Sequence, residues 1–142
     1  FVADFVGADR TLKRLRLVTA REVTDADAPA IARSGKVKDA VAMMHDHGGR
    51  IAVVIDADHR PIGYLTVEEA EGASGSVGEM AHALPATVPV GADLRAVVSE
   101  MFANDTLWLA CVDDAGRYAG IVTQPAVTRA LGETYRRADA AA

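Results

Sequence analysis

The chain repeats itself. Shifted by 57 positions, Val37–Thr66 falls on Leu94–Thr123 without a gap. Met44 lands on Met101, Asp56 on Asp113, Arg60 on Arg117, Gly63 on Gly120 and Thr66 on Thr123. Identities are few, but the order of features is kept: an apolar-periodic run, an apolar strand-like run, an acidic turn, then Gly-apolar-apolar-Thr. Two units that each expose an apolar face bury it by stacking on one another. Any site on one unit then has a counterpart on the other.

A chain of 142 residues, half of them apolar, can build one compact core. The repeat divides that core between two halves. The net charge of −5 argues against a general nucleic-acid binder, which would carry a strong basic bias. The single cysteine, Cys111, rules out a disulfide framework within the chain and reads as a buried structural thiol. No stretch approaches the roughly 18 consecutive apolar residues of a membrane span, and no signal-peptide pattern is present. The chain opens on Phe1 and reads as a piece of a larger protein.

Residues 1–23 form a lead-in. Arg10, Lys13, Arg14, Arg16 and Arg21 cluster there, and Leu12, Leu15 and Val18 suit a helical stripe. The cluster reads first as a solvated helix face, and second as an electrostatic contact with a partner domain or an anionic surface. In the first unit, Asp25 and Asp27 before Ala28-Pro29 suit a turn or helix start. The spacing predicts a helix over Val37–His47 with Val37, Ala40, Val41 and Met44 on one face, ended by Gly48-Gly49. Arg50–Asp56 and Ile62–Thr66 read as a strand hairpin, and Thr66 as the cap of a helix from Val67.

After a small-residue linker, Ala73–Ser76, the second unit reads as a helix over Val77–Ala83 and a short strand over Thr87–Val90. A helix over Leu94–Asn104, strands over Leu107–Asp113 and Tyr118–Thr123, and a closing helix to about Arg136 complete it. The tail beyond is Ala-rich and expected to fray. Each unit is thus an α/β repeat of helix–strand–strand–helix, with a preceding short strand in the second unit only.

With "AVVID" joined to "GYLTVEEA", and "LACVD" to "GIVTQPAV", the sequence resembles a tandem pair of cystathionine-beta-synthase (CBS) domains over roughly residues 19–136. The resemblance implies a Bateman module: two small sheets with flanking helices in a pseudo-twofold arrangement, two clefts between them, and pairing into a homodimer. The expected boundaries are 1–18 for a linker from a preceding ATPase domain, 19–72 and 77–136 for the two units, and 137–142 for the tail. A second resemblance lies in "FVADFVGADRTLKRL", which is similar to the segment joining the ATPase domain to the CBS pair in ATP-binding subunits of bacterial glycine betaine/choline/proline ABC transporters. No Gly-x-x-x-x-Gly-Lys-Ser/Thr phosphate loop is present, so the chain itself is not expected to hydrolyse ATP. The parent would act at the cytoplasmic face of the membrane with its permease subunits.

The resemblance also implies a ligand site. Backbone amides and a hydroxyl at a helix start hold phosphate, a carboxylate three residues on takes the ribose hydroxyls, and apolar residues at strand starts sandwich the base. Thr66 and Thr123 match the hydroxyl, and either also serves as a plain helix cap. Glu69 stands where the family has Asp, and Ala126 stands there in the second unit, unable to accept a ribose hydrogen bond. Ile51, Thr87, Val88 and Trp108 are the candidates beside the base, Trp108 reading first as core or dimer interface. The ligands implied are AMP, ATP or, with least need of a ribose carboxylate, cyclic di-AMP; none is required as a cofactor. The mismatched positions predict unlike clefts, with the first unit's cleft or a dimer surface holding the ligand. A ligand-free module that senses ionic strength or only dimerises is the alternative.

His45 and His47, two apart on a helix, do not form an i,i+4 metal pair and read as residues placed at the C-terminal dipole. His59 falls in a turn and His82 near a helix end. No metal constellation and no nucleophile–base set is expected, and so no catalytic residue.

Overall fold

The computed structural model describes the backbone of residues 13–141 and the side chains of residues 13–132. Leu12, Arg10 and the rest of the lead-in before Lys13 lie outside the described residues, as does Ala142. In chain order the elements are α1 (Ala20–Val23), β1 (Ala30–Ala32), α2 (Val37–His47), β2 (Ile51–Ile55), β3 (Pro61–Thr66) and α3 (Val67–Ala70). The second half follows with α4 (Val77–Met80), β4 (Thr87–Pro89), α5 (Leu94–Ala103), β5 (Trp108–Val112), β6 (Tyr118–Thr123) and α6 (Gln124–Ala141).

The 57-residue shift carries one sheet onto the other. β1-β2-β3 and β4-β5-β6 are each three-stranded, with the first pair parallel and the second antiparallel. Ile51 pairs with Thr66 as Trp108 pairs with Thr123. Both hairpins shift register at the same place, between Val54 and Ile55 and between Cys111 and Val112. The repeated aspartates explain the shared turn. Asp56 accepts the backbone N–H of Asp58 and of Arg60, both at 2.9 Å. Asp113 accepts those of Ala115 and Arg117 at 2.9 and 3.0 Å. A carboxylate that binds its own backbone two and four residues on holds the loop shut without tertiary help.

The helices obey their patterns. On α2, Val37, Ala40 and Met44 are buried, and Gly48 closes the helix at φ 81° by donating its N–H to the Met44 carbonyl. Asp93 caps α5 by accepting the Ala96 N–H at 2.9 Å, and Leu94, Val97 and Met101 form its buried stripe. One core gathers around α2, β2 and β3; a second gathers around α5, β5 and β6; a third, of Ala28, Val53, Ala110 and Ile121, joins the two sheets.

Several expectations need correction, the smallest being single-residue shifts: the strands read over Arg50–Asp56, Ile62–Thr66 and Leu107–Asp113 and the helix over Leu94–Asn104 run over Ile51–Ile55, Pro61–Thr66, Trp108–Val112 and Leu94–Ala103. The first unit does have its short strand: Ala30-Ile31-Ala32 pairs in parallel with Val53–Ile55. Two alanines flanking one isoleucine carry little strand propensity, so only the pairing reveals it, and Asp25–Pro29 leads into this strand rather than into a helix. α4 stops at Met80 instead of Ala83, because His82 leaves the helix to exchange two backbone bonds with Tyr64, both 2.9 Å. The strand after Pro85 ends at Pro89, one residue short of Val90. The closing helix continues past Arg136 to Ala141, as a run of strong helix formers allows.

The two halves exchange straps. The segment before β1 does not pack on its own unit but on the second. Leu94 N–H donates to Val18 at 2.9 Å, Ala20 N–H to Ala92 at 2.7 Å, and Asp25 and Ile121 bond each other's backbone at 2.8 and 3.1 Å. Leu15 and Ala20 sit inside the second core. The segment before β4 repeats the pattern on the first unit: Val37 N–H donates to Gly75, Val77 N–H to Gly35, and Tyr64 pairs with His82. The repeated glycines lie beneath these crossings. A Cβ at Gly63 would stand 2.7 Å from the His82 carbonyl oxygen, and one at Gly120 only 2.4 Å from that of Asp25. Gly120 also holds φ at +139°, which a side chain resists.

The outer faces of the halves differ. Phe102 and Leu107 are 82% and 71% exposed beside an apolar groove lined by Val98, Met101, Val127 and Leu131. One repeat earlier the same positions are His45 and Arg50, paired to Glu71 and Glu68.

Gly120→Ala meets both a backbone oxygen and an unfavourable φ. It is expected to cost about 3 kcal/mol. Gly116→Ala, at φ +79° in open space, is expected to cost about 1 kcal/mol. Urea denaturation of the two variants checks the difference.

Candidate functional site

Two clefts lie where the straps cross the sheets, and each is built by both units. The first has a volume of about 590 Å3. Its floor is Ile51 of β2 and Ile121 of β6; one wall is the strap, Glu22–Asp25; the other carries Thr123, Ala126 and Arg129 from the start of α6. His47 and Arg50 stand at the edge contributed by the first unit. Local sequence places each group. Thr123 ends β6 and caps α6, its hydroxyl accepting the Ala126 N–H at 3.3 Å. Arg129 follows three residues beyond Ala126, on the same side of α6. Glu22 folds back in a capping box with Thr19, accepting its N–H at 2.7 Å, which fixes α1 and hence the wall.

This cleft offers cations, a hydroxyl and an apolar floor. Arg129 and Arg50 supply positive charge at its rim, and Arg50 is also paired with Glu68. Its own backbone bond, and then the Arg50 guanidinium, hold the Glu68 carboxyl below its ordinary range. Asp25 pairs with His47 at 2.9 Å, so the strap is tied across the cleft to the end of α2.

The second cleft is the first one shifted by one repeat, and it is bridged. Glu69, the counterpart of Ala126, meets His82 at 2.5 Å; His82 is the counterpart of Asp25. Trp108, the counterpart of Ile51, lies edge-on to Tyr64 with ring centroids 5.1 Å apart, and Tyr64 lies 5.4 Å from the His82 ring. Thr66 caps α3 as Thr123 caps α6, accepting the Glu69 N–H at 3.4 Å. Where the first cleft has Ile51, Ile121 and Ala126, this one has Trp108, Tyr64 and Glu69.

The predicted site residues therefore divide. Thr123 and Ile51 share the first cleft. Thr66 and Glu69 belong to the second, so they do not join Ile51 in a cleft of the first unit alone: β2 turns Ile51 toward the strap and the sheet of the other half. Val88 is 2% exposed in the second core, and Thr87 is exposed on β4; neither lines the first cleft. Sequence reasoning missed Arg129, His47 and the strap wall. Arg129 is three residues beyond Ala126, and that spacing on a helix was the available signal; the strap carries no local signal, since its partners, from Val90 to Ile121, lie in the other half of the chain. Among the described residues, no group of three or more His, Cys, Asp and Glu side chains is placed to hold a metal ion.

A buried thiol and a half-buried phenol lie beside the clefts. Burial pushes the Cys111 thiol up, with a bond from the Thr24 hydroxyl at 3.2 Å opposing it. Burial, then the charge of Asp25, pushes the Tyr118 phenol up; its hydroxyl donates to the Ala28 carbonyl at 3.0 Å.

The chain belongs to the CBS domain family, whose model matches residues 20–71 and 77–133. It is 42% identical over 125 residues, 87% of its length, to the osmoprotectant import ATP-binding protein OsmV of Salmonella typhimurium. It spans 33% of that relative's length. Among solved structures it is similar to protein MJ1004 of Methanocaldococcus jannaschii, with a TM-score of 0.74 at 20% identity over 82% of this chain and 60% of that one. It is likewise similar to the CBS domain of a bacterial CNNM/CorC family Mg2+ transporter, with a TM-score of 0.72 at 19% identity over 86% and 79%. The chain is thus a CBS pair related to a region of an osmoprotectant ABC importer's ATP-binding subunit. No helix among the described residues is long and apolar enough to cross a membrane.

Cys111 and Tyr118 are both held in their protonated forms. Their contribution to stability is whole below the ordinary thiol value of 9.0 and the ordinary phenol value of 10.0. It is lost as pH rises through the folded-state values. The urea midpoint is expected to fall from pH 9 upward. Tyr118→Phe is expected to lower stability by about 1 kcal/mol at pH 7 and to make the alkaline fall shallower.

Proposed function

We propose that this CBS pair is the regulatory region of an ATP-binding subunit of a compatible-solute ABC importer, working as a homodimer at the cytoplasmic face beside the ATPase domain and the permease. The likeness to the osmoprotectant importer subunit over 87% of the chain supports that role. The ligand is an adenine nucleotide, cyclic di-AMP first and AMP or ATP next, bound in the Thr123 cleft.

One observation carries the ligand reading: the two clefts are unlike, and the one at Thr123 joins an apolar floor of Ile51 and Ile121 to a hydroxyl and two arginines. Ile51 and Ile121 suit the flat face of a base. The Thr123 hydroxyl and the Arg129 guanidinium suit a phosphate; the first amides of α6 do not serve it, since Gln124 donates to Leu107, Ala126 donates to Thr123 and Pro125 has no N–H. Ala126 offers no carboxylate to a ribose diol, so Glu22 and Asp25 of the strap wall are the carboxylates within the cleft. Regulation follows if the ligand prefers one arrangement of the module over another; the attached ATPase is then biased by that difference in affinity.

The alternative, a module that reads ionic strength without a ligand, draws support from Arg16 and Arg21, both exposed on the segment strapped to the second unit. Exposed charges of this kind are screened within about 8 Å at physiological salt.

Thermal melts separate the two. Cyclic di-AMP at 100 times its dissociation constant should stabilise the chain by about 2.7 kcal/mol, or roughly 5–10 °C. Arg129→Ala should weaken binding by about tenfold or more, while Glu69→Ala should leave it within about twofold. Absence of any shift with cyclic di-AMP, AMP, ADP or ATP defeats the nucleotide reading.

A further inference from the structure

The strap Thr19–Asp25 has three attachments of different kinds. Backbone bonds tie it to the second unit at Val90, Ala92 and Ile121. Thr24 covers Cys111, its hydroxyl at 3.2 Å from the sulfur, and Ala20 is fully buried beneath it in the second core. Its side-chain tie to the first unit is Asp25 to His47, a pair at 2.9 Å whose partners are 48% and 27% exposed. The same strap forms the wall of the Thr123 cleft, and residue Lys13 onward leads out of it toward the start of the chain.

We infer that this strap is the moving part of the module: a lid over Cys111, clamped to the first unit by His47–Asp25, whose position couples occupancy of the Thr123 cleft to whatever precedes it in the chain. The coupling rests on reading that cleft as the ligand site; the lid and its clamp do not. The physical case is one of placement. A ligand seated between Ile51 and Arg129 touches Thr24 and Asp25 directly, so it cannot be indifferent to the strap. The matching strap at Gly75–His82 touches the other cleft and is held there by Glu69; being internal to the module, it leads only from one unit to the next. The exposed clamp is worth a few tenths to about 1 kcal/mol, and lifting the strap off Cys111 also breaks its backbone bonds to Val90, Ala92 and Ile121, so the clamp tunes a local opening that those bonds resist.

Cys111, the single cysteine, reports the lid. Its sulfur is buried under the strap, so a thiol reagent reaches it only when the strap lifts or the whole chain unfolds. Labelling with an aromatic disulfide reagent is measured in wild type, His47→Ala and Asp25→Asn, with urea denaturation of each as the control. Loss of the clamp should raise the labelling rate roughly two- to fivefold, beyond any change in the global unfolding constant. Rates that are unchanged, or that follow global unfolding alone, overturn the lid. Saturating cyclic di-AMP should slow labelling of the wild type. A melting shift with no change in labelling overturns the coupling. No melting shift, with the His47 dependence intact, counts against the ligand and supports the lid.

Discussion

The crossing of each strap over a glycine is the constraint on which the rest of the structure depends. Two backbones cannot come within hydrogen-bonding reach face to face if a Cβ stands between them, and Gly63 and Gly120 remove it. Everything repeated about the module follows. The straps zip onto the opposite hairpins, the hairpins present Ile51 and Trp108 to a shared space, and the two cores are locked together by chain continuity as well as by apolar contact. The strap before β1 reaches the unit that lies furthest from it in sequence. The first and last parts of the module are therefore mutually dependent, and Leu15 and Ala20 complete a core whose other members begin at Val88.

Symmetry of backbone combined with asymmetry of side chains explains why one module carries two unlike clefts. Position by position the clefts exchange Ile51 for Trp108, Ala126 for Glu69, Asp25 for His82 and His47 for Asn104. Each exchange is small in the fold, since both versions are tolerated at the same Cα position. Together with Ile121 against Tyr64 they make the two unlike: one holds Ile51, Ile121 and the His47–Asp25 pair, the other Tyr64, Trp108 and the His82–Glu69 pair. A pair of equivalent sites would be the default of duplication; divergence at these positions, at Ile121 against Tyr64 and at Arg129 against Gly72 removes it.

Much of this architecture was legible in the sequence, for reasons that are local. Val37–His47 declares itself by its period and its Gly48 cap, and the hairpins by apolar runs around an aspartate turn. The parts that were not legible are those decided by distant partners. β1 has no strand chemistry of its own and exists because β2 offers an edge. α4 is cut short by a pairing with Tyr64. The repeat assigns Thr19–Asp25 to the unit that follows it, whereas its hydrogen bonds lie with the other. For the site, Thr123 was visible from its motif, but its companions Ile51, His47 and Arg129 come from opposite halves, and only the stacking of the sheets brings them to one cleft. Val88, offered as a cleft residue, points into the core because alternation along β4 puts it there between exposed Thr87 and Pro89.

The contrast between the outer faces has a consequence of its own. A body with an internal twofold axis has, in its backbone, no front or back: a neighbour approaching from either side meets the same surface. Phe102 and Leu107 on one side, against ion-paired His45 and Arg50 on the other, break that ambiguity. One side rewards the removal of water and the other resists it. The module therefore has polarity, like an arrow drawn on a disc, and any assembly built from it inherits a direction that the fold alone does not possess.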